Sequence, residues 1–264
     1  TDKCNYHCPF CFQPKTNTEI SINQLDLYID LFRKLGIQKI EISGGEPLFF
    51  DSFDILAKTL SSNGFYLTIS TNGSGSPKNR KWISENASLF SRIIISLDGC
   101  NEEQADSLCG SEGAFRRMIS FVQLLKQKGC NNIRINTVVT TLFSDEQNVL
   151  RMVDLIKELA PLEWCLIQPH PENKLPSFDD YDITLSQFNR ILKIVRKQFI
   201  NGNTNIISRS VKNYAGYWIL NPNNSFLLHT DGVREPISVN FSVDTIPEII
   251  YLSQKFGLWV PTKN

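Results

Sequence analysis

The chain has 264 residues, 41% of them hydrophobic, and its 27 Lys and Arg balance its 27 Asp and Glu. That length suits one large α/β domain or two small ones with a sizeable core. A net charge of zero excludes bulk attraction to nucleic acid or an anionic membrane, leaving only a local basic patch open. No apolar run is long enough to span a bilayer, and no secretory signal pattern is present.

The first informative stretch is Cys4-Asn5-Tyr6-His7-Cys8-Pro9-Phe10-Cys11-Phe12. Three thiols at C-x3-C-x2-C spacing let one short loop wrap one iron–sulfur cluster, with one iron left open to another ligand. Read alone, the same spacing also suits a zinc knuckle. Residues 20–35 show helical periodicity, with Ser21 as N-cap and Gly36 as stop. Ile37–Ser43 reads as a buried strand and ends in Gly44-Gly45-Glu46-Pro47. Phe53–Leu60 predicts a helix, Phe65–Thr71 a strand, Lys78–Phe90 a helix and Ile93–Asp98 a strand. Phe115–Lys128 predicts an amphipathic helix, Ile133–Thr140 a β-branched strand, Asp145–Leu159 a helix capped by Ser144 or Asp145, and Trp164–Gln168 a strand.

Short, continuously apolar strands alternating with helices imply a parallel sheet covered on both faces, curled into a partial (β/α)6 barrel. Chemistry in such barrels gathers at the C-terminal ends of the strands. Ser43–Glu46, Ser70–Gly73, Ser96–Asp98, Asn136–Val138 and Gln168-Pro169 fall there. After Gln168 the pattern changes to a loop containing Pro169, Pro171 and Pro176 and the acidic run 179–182. A helix Leu185–Phe199 follows, then short strands Asn205–Ser208, Gly216–Leu220, Ser225–Leu228 and Ile237–Phe241, and a last helix Ile246–Phe256 before Trp259. Residues 1–169 are therefore expected to form the core, and 170–264 an extension closing the open side of the barrel. Cys100, Cys109, Cys130 and Cys165 make no disulfide framework and read as free thiols of a reducing, cytoplasmic compartment.

The cysteine loop followed by a strand ending Gly-Gly-Glu-Pro resembles the radical S-adenosylmethionine (SAM) superfamily. The resemblance implies a [4Fe–4S] cluster on Cys4, Cys8 and Cys11. SAM would chelate the open iron and be cleaved reductively to methionine and a 5′-deoxyadenosyl radical, with the electron coming from a donor such as flavodoxin or ferredoxin. Gly44 and Gly45 would let backbone approach the cofactor, and Glu46 would accept from its ammonium. Ser70, Asn72, Ser96 and Asp98 would reach its ribose or carboxylate, while Phe10 and Val138 would line the adenine. Relatives often carry Leu-Arg-Gly where this chain has Leu108-Cys109-Gly110, a departure that removes a partner for the SAM carboxylate. Such a fold also expects a strand ahead of the cluster loop, so the N-terminus is expected to be trimmed.

Within the superfamily the sequence is most similar to viperin-like enzymes, which dehydrate a nucleoside triphosphate and belong to antiviral defence. The cluster loop with Lys15-Thr16, the strand Arg134-Ile135-Asn136-Thr137-Val138, Pro161-Leu162-Glu163-Trp164 with Gln168, and Gly216–Leu220 carry that resemblance. It implies that Arg117, Arg134 and Asn136 contact the triphosphate. Ile95–Gly99 is similar to peptide-modifying members, so a peptide or small metabolite is the alternative substrate. A non-catalytic metal-binding protein is the remote one. Cys100, Cys109, Tyr181 and Tyr217 are candidates for returning a hydrogen atom to a substrate radical.

Overall fold

The computed structural model describes residues 1–11, 13, 15–169, 180–210, 217–229 and 237–258. Six strands form one parallel sheet in the order in which they occur along the chain: β1 (Lys39–Ile42), β2 (Tyr66–Thr71), β3 (Phe90–Ser96), β4 (Ile133–Val138), β5 (Glu163–Ile167) and β6 (Asn205–Arg209). Each strand pairs in parallel with the one before it, for example Asn136 with Cys165 and Ile167 with Arg209. The helices between them are α1 (Leu25–Lys34), α2 (Phe53–Ser62), α3 (Pro77–Glu85), α4 (Glu102–Cys109), α5 (Ala114–Gln127), α6 (Glu146–Leu159) and α7 (Leu185–Gln198). This is the expected α/β partial barrel, with β1 and β6 as its two edges.

Alternation along the strands sorts side chains to the two faces. Leu67, Ile69, Ile93, Ile95, Ile135 and Trp164 are all buried at 0–1% exposure. Trp164 meets Phe199, just past α7, edge to face with ring centroids 5.9 Å apart, so this set faces the helix layer. The alternate set faces the concave side: Glu41 on β1, Ser70 on β2, Arg92 and Ser96 on β3, Arg134, Asn136 and Val138 on β4, Glu163, Cys165 and Ile167 on β5, and Arg209 on β6.

Four expectations are corrected. Residues 20–35 open with a 3-10 turn, Ile22–Gln24, and Ser21 makes no side-chain cap hydrogen bond. The helix expected over 78–90 ends at Glu85. Asn86 turns the chain, and Phe90 opens β3, stacked on Phe53 at 6.2 Å. Helix α4 was not foreseen, yet Asn101 caps it by accepting from the Gln104 N–H, and Gly110 ends it in the left-handed conformation. The sixth strand of the sheet is Asn205–Arg209, from the segment expected to belong to the extension.

Strands β7 (Tyr217–Leu220), β8 (Ser225–His229) and β9 (Ile237–Asn240) form a separate antiparallel sheet, followed by α8 (Ile246–Lys255). The Trp218 indole donates to Ser253 on α8 at 2.9 Å. Tyr28 on α1 donates to Asn224 at 2.5 Å and packs on Phe241 at 5.4 Å. The small sheet thus reaches back to α1, which precedes the β1 edge. Phe226, Val239, Phe241 and Ile249 share one continuous core with the barrel. Among the described residues no helix is long and apolar enough to cross a membrane. The loop 170–179, Gly216, Asp231-Gly232 and Trp259 lie outside the described residues.

Candidate functional site

The cysteine loop lies across the C-terminal ends of β1 and β2, held there largely by main chain. The Gly45 N–H donates to Thr1 O at 2.8 Å and the Glu46 N–H to Lys3 O at 2.7 Å. This approach explains the paired glycines. A Cβ on Gly44 would stand 2.3 Å from Thr1 O, and one on Gly45 2.3 Å from Lys3 O. Gly44 also holds φ +128°, which only glycine adopts without strain. The close approach these glycines permit is therefore to the protein's own backbone.

The rest of the loop is fixed by side chains. Asp2, 5% exposed, accepts from Gln13 and from Thr16, each at 2.7 Å. Lys15 donates to Tyr6 O. The buried Tyr6 ring lies under the Arg117 guanidinium at 5.5 Å, and its hydroxyl accepts from Arg117 Nε at 3.2 Å. Arg117 donates further to Ser111 and to Glu112 O. Arg117 thus braces the cluster loop. The His7 N–H donates to Cys109 O at 2.7 Å. The buried Cys109 thiol sits beside Cys8, and this neighbour together with burial pushes its pKa far up. This chain thus places a second thiol, Cys109, beside the cluster cysteine Cys8. Cys100, another candidate donor, hydrogen-bonds Gln104.

Cys4, Cys8 and Cys11 are half-buried, and burial raises the pKa of Cys4 and Cys11. Among the described residues no three such side chains converge on a single ion. Phe10 is half-exposed in the turn between Cys8 and Cys11.

Glu46 is fully buried, and both carboxylate oxygens are used. Oε1 accepts from Thr71 at 2.6 Å and from the Leu48 N–H at 3.0 Å, and Oε2 from the Asn72 N–H at 2.6 Å. Its carbonyl accepts from Phe49. Glu46 thus latches the end of β1 to the end of β2 through its side chain. Desolvation outweighs the three donors and raises its pKa to about 7. Asp98, just past β3, accepts from the Val138 N–H at 2.7 Å, and burial raises its pKa to about 7 as well. Ser70 donates to Glu41 at 2.5 Å. Ser96 stands at the inward end of β3.

Arg134 is 7% exposed and starts β4, at the opposite end of the strand from Val138. Its Nε and that of Arg92 both meet Glu163 Oε2 at 2.7 Å. Arg134 is thus held in an ion triad at the base of the barrel. Asn136 does face the mouth, and its Oδ1 is buried with no hydrogen-bond partner among the described residues, as is Thr140 Oγ1. Such atoms call for a polar ligand. Arg209, exposed at the C-terminal end of β6, shares the face of Cys165 and Ile167 and went unnoticed in the sequence. Its signal is its place at the end of a strand, which is legible only once β6 is known to join the sheet.

Comparison with known proteins agrees with this geometry. The chain is 27% identical over 208 residues to the S-adenosylmethionine-dependent nucleotide dehydratase RSAD2 of Oncorhynchus mykiss, covering 73% of this chain and 58% of that protein. It is 24% identical to a probable GTP 3′,8-cyclase of Pyrobaculum aerophilum, covering 94% and 85%. Among solved structures, Streptococcus suis SuiB bound to S-adenosylmethionine superposes with a TM-score of 0.65 at 17% identity, over 79% of this chain and 48% of that one. Three thiols in one loop, with buried polar atoms unpartnered among the described residues, fit an iron–sulfur cluster and a polar ligand beside it. A family model described as Radical SAM superfamily matches residues 1–158. The chain belongs to the radical SAM superfamily, and its cofactors are a [4Fe–4S] cluster and SAM.

Proposed function

We propose that this radical SAM enzyme acts on a nucleoside triphosphate, in the manner of the nucleotide dehydratases it resembles. The observation that carries the reading is the charge of the concave wall. The inward faces of β3–β6 bear Arg92, Arg134 and Arg209 against the single carboxylate Glu163. Three arginines against one carboxylate leave this stretch of wall net positive in a protein of zero net charge, with Arg209 at the end where the strands open. Low-dielectric walls focus such a field on an anion. The curated relatives point the same way, since RSAD2 is named a nucleotide dehydratase and the cyclases are named for GTP.

In this reading Cys4, Cys8 and Cys11 hold the cluster, and Ser70, Ser96, Val138 and Phe10 border the SAM. Bound there, cluster and SAM supply one-electron cleavage to a carbon radical that removes a substrate hydrogen atom. Arg209 contacts phosphate with its fork of N–H donors, and Asn136 supplies a carboxamide beside it. Arg92 and Arg134 add field from below while Glu163 holds them in place. A ferredoxin or flavodoxin supplies the electron.

The test is anaerobic. The protein is reconstituted with iron and sulfide, reduced, and given SAM with each nucleoside triphosphate in turn, while 5′-deoxyadenosine is followed by chromatography. Strong stimulation by one triphosphate, lost in Arg209→Ala, supports the reading. Formation indifferent to all of them removes nucleotides and leaves a peptide or small metabolite as substrate.

A further inference from the structure

The three cluster thiols are not equivalently placed. Cys4 Sγ faces two N–H donors, the Tyr6 backbone at 3.5 Å and the Asn72 carboxamide Nδ2 at 3.7 Å. The first is local to the loop. The second comes from the far side of the site, 68 residues along, past the end of β2.

Asn72 is held firmly enough for its direction to matter. Its own N–H donates to Glu46 Oε2 at 2.6 Å. Its Oδ1 accepts from the Ser74 N–H at 2.8 Å and from Ser74 Oγ at 2.5 Å. A backbone N–H can only donate, so the amide oxygen must face Ser74 and the NH2 must face the loop. There it also reaches Asn5 Oδ1 at 3.5 Å.

We propose that Asn72 is a positioning residue for the cluster, whose N–H···S contact to Cys4 raises the cluster's reduction potential. Hydrogen bonds to ligand sulfurs are among the levers that set such potentials. The donor offsets negative charge on the thiolate and so favours the reduced, more negative state. Asn72 therefore governs how readily the electron donor fills the cluster before SAM is cleaved. Glu46 acts one step behind it, fixing the backbone from which the carboxamide projects. The inference rests on the family's cluster and on no particular substrate.

The test is a redox titration of the reconstituted full chain without SAM, following the electron paramagnetic resonance signal of the reduced cluster. Iron and sulfide per chain report loading. Asn72→Ala is expected to load fully and to shift to more negative potential. At fixed solution potential its reduced-to-oxidised ratio should fall about tenfold, which is 59 mV for a one-electron couple. Asn72→Asp keeps the shape without the N–H and should shift the same way. Ser74→Ala leaves the N–H···S contact in place and should match the wild type. A loaded Asn72→Ala with unchanged potential overturns the proposal, as does an equal shift in Ser74→Ala. Failure of both Asn72 variants to load also overturns it, since the residue would then hold the loop rather than tune it. A wild-type chain that takes up no cluster would instead contradict the family's cofactor, a separate outcome.

Discussion

Glu46 shows how much one side chain can organise. Glu46→Ala leaves Thr71 Oγ1 and the Leu48 and Asn72 N–H groups facing a void. The expected cost is roughly 2–4 kcal/mol in urea unfolding, with Glu46→Gln costing less because shape and one acceptor survive. Gly45→Ala tests the neighbouring contact. Its Cβ would meet Lys3 O at 2.3 Å and Lys3 C at 2.7 Å, so the segment leading into Cys4 must shift. Iron content after reconstitution should fall severalfold while far-ultraviolet circular dichroism is retained. The motif was legible in the sequence, but its reason was not. Glu46 finds its partners 25 and 26 residues away, and the glycines accommodate residues 1–3, pairings set by the strand ends they share.

Among the elements, α4 and the base of the barrel repay separate tests. Helix α4 has only eight residues and buries little more than Ala105, Leu108 and Cys109, so its periodicity is weak. Its end signals, Asn101 followed by two glutamates and later Gly110, were stronger than its pattern. It matters because its last carbonyl, Cys109 O, accepts from His7 in the cluster loop. Arg117 on α5 does similar work, and Arg117→Ala is expected to release Tyr6 and lower cluster retention on gel filtration. At the base, Glu163→Ala strands two arginines together, one of them almost wholly buried. That should cost about 3–5 kcal/mol in urea unfolding. Arg92→Ala should cost much less, because Arg134 still pairs with Glu163 and Arg92 is a third exposed. The arginines were visible in the sequence, but their depth along the strand was not. Arg134 and Asn136 differ by one pleat period, which separates the base of the wall from its mouth.

At the scale of the whole molecule, the parallel barrel followed directly from alternation of apolar strands and helices. The strand at Asn205–Ser208 was expected too, but not as the sixth of the sheet, because a Pro-containing loop and α7 separate it from β5. Its membership depends on α7 carrying the chain back to β5. Two buried carboxyls give the molecule a pH signature. Glu46 and Asp98 both have pKa values raised to about 7 in the fold. Between their ordinary carboxylate values and 7 the folded state binds more protons than the unfolded one. Stability from these groups is therefore present at low pH and lost as pH rises through 7, on the order of 1.4 kcal/mol per pKa unit for each. Urea unfolding of the apoprotein at about pH 5 and about pH 8 checks the sign, and Asp98→Asn should flatten the difference.

The order of manufacture adds a constraint of its own. A ribosome makes Cys4, Cys8 and Cys11 before any of the groups they rest on, namely Gly45 and Glu46, then Asn72 and Ser74, then Cys109. At roughly 5–20 residues per second, the nascent thiols wait several seconds for their seat. During that interval they form a tethered, unprotected loop, open to oxidants and to stray metal. Assembly of the cofactor is thus a late event in the life of the chain. Yield in the cell should depend on oxygen tension during synthesis more than on the stability of the finished protein.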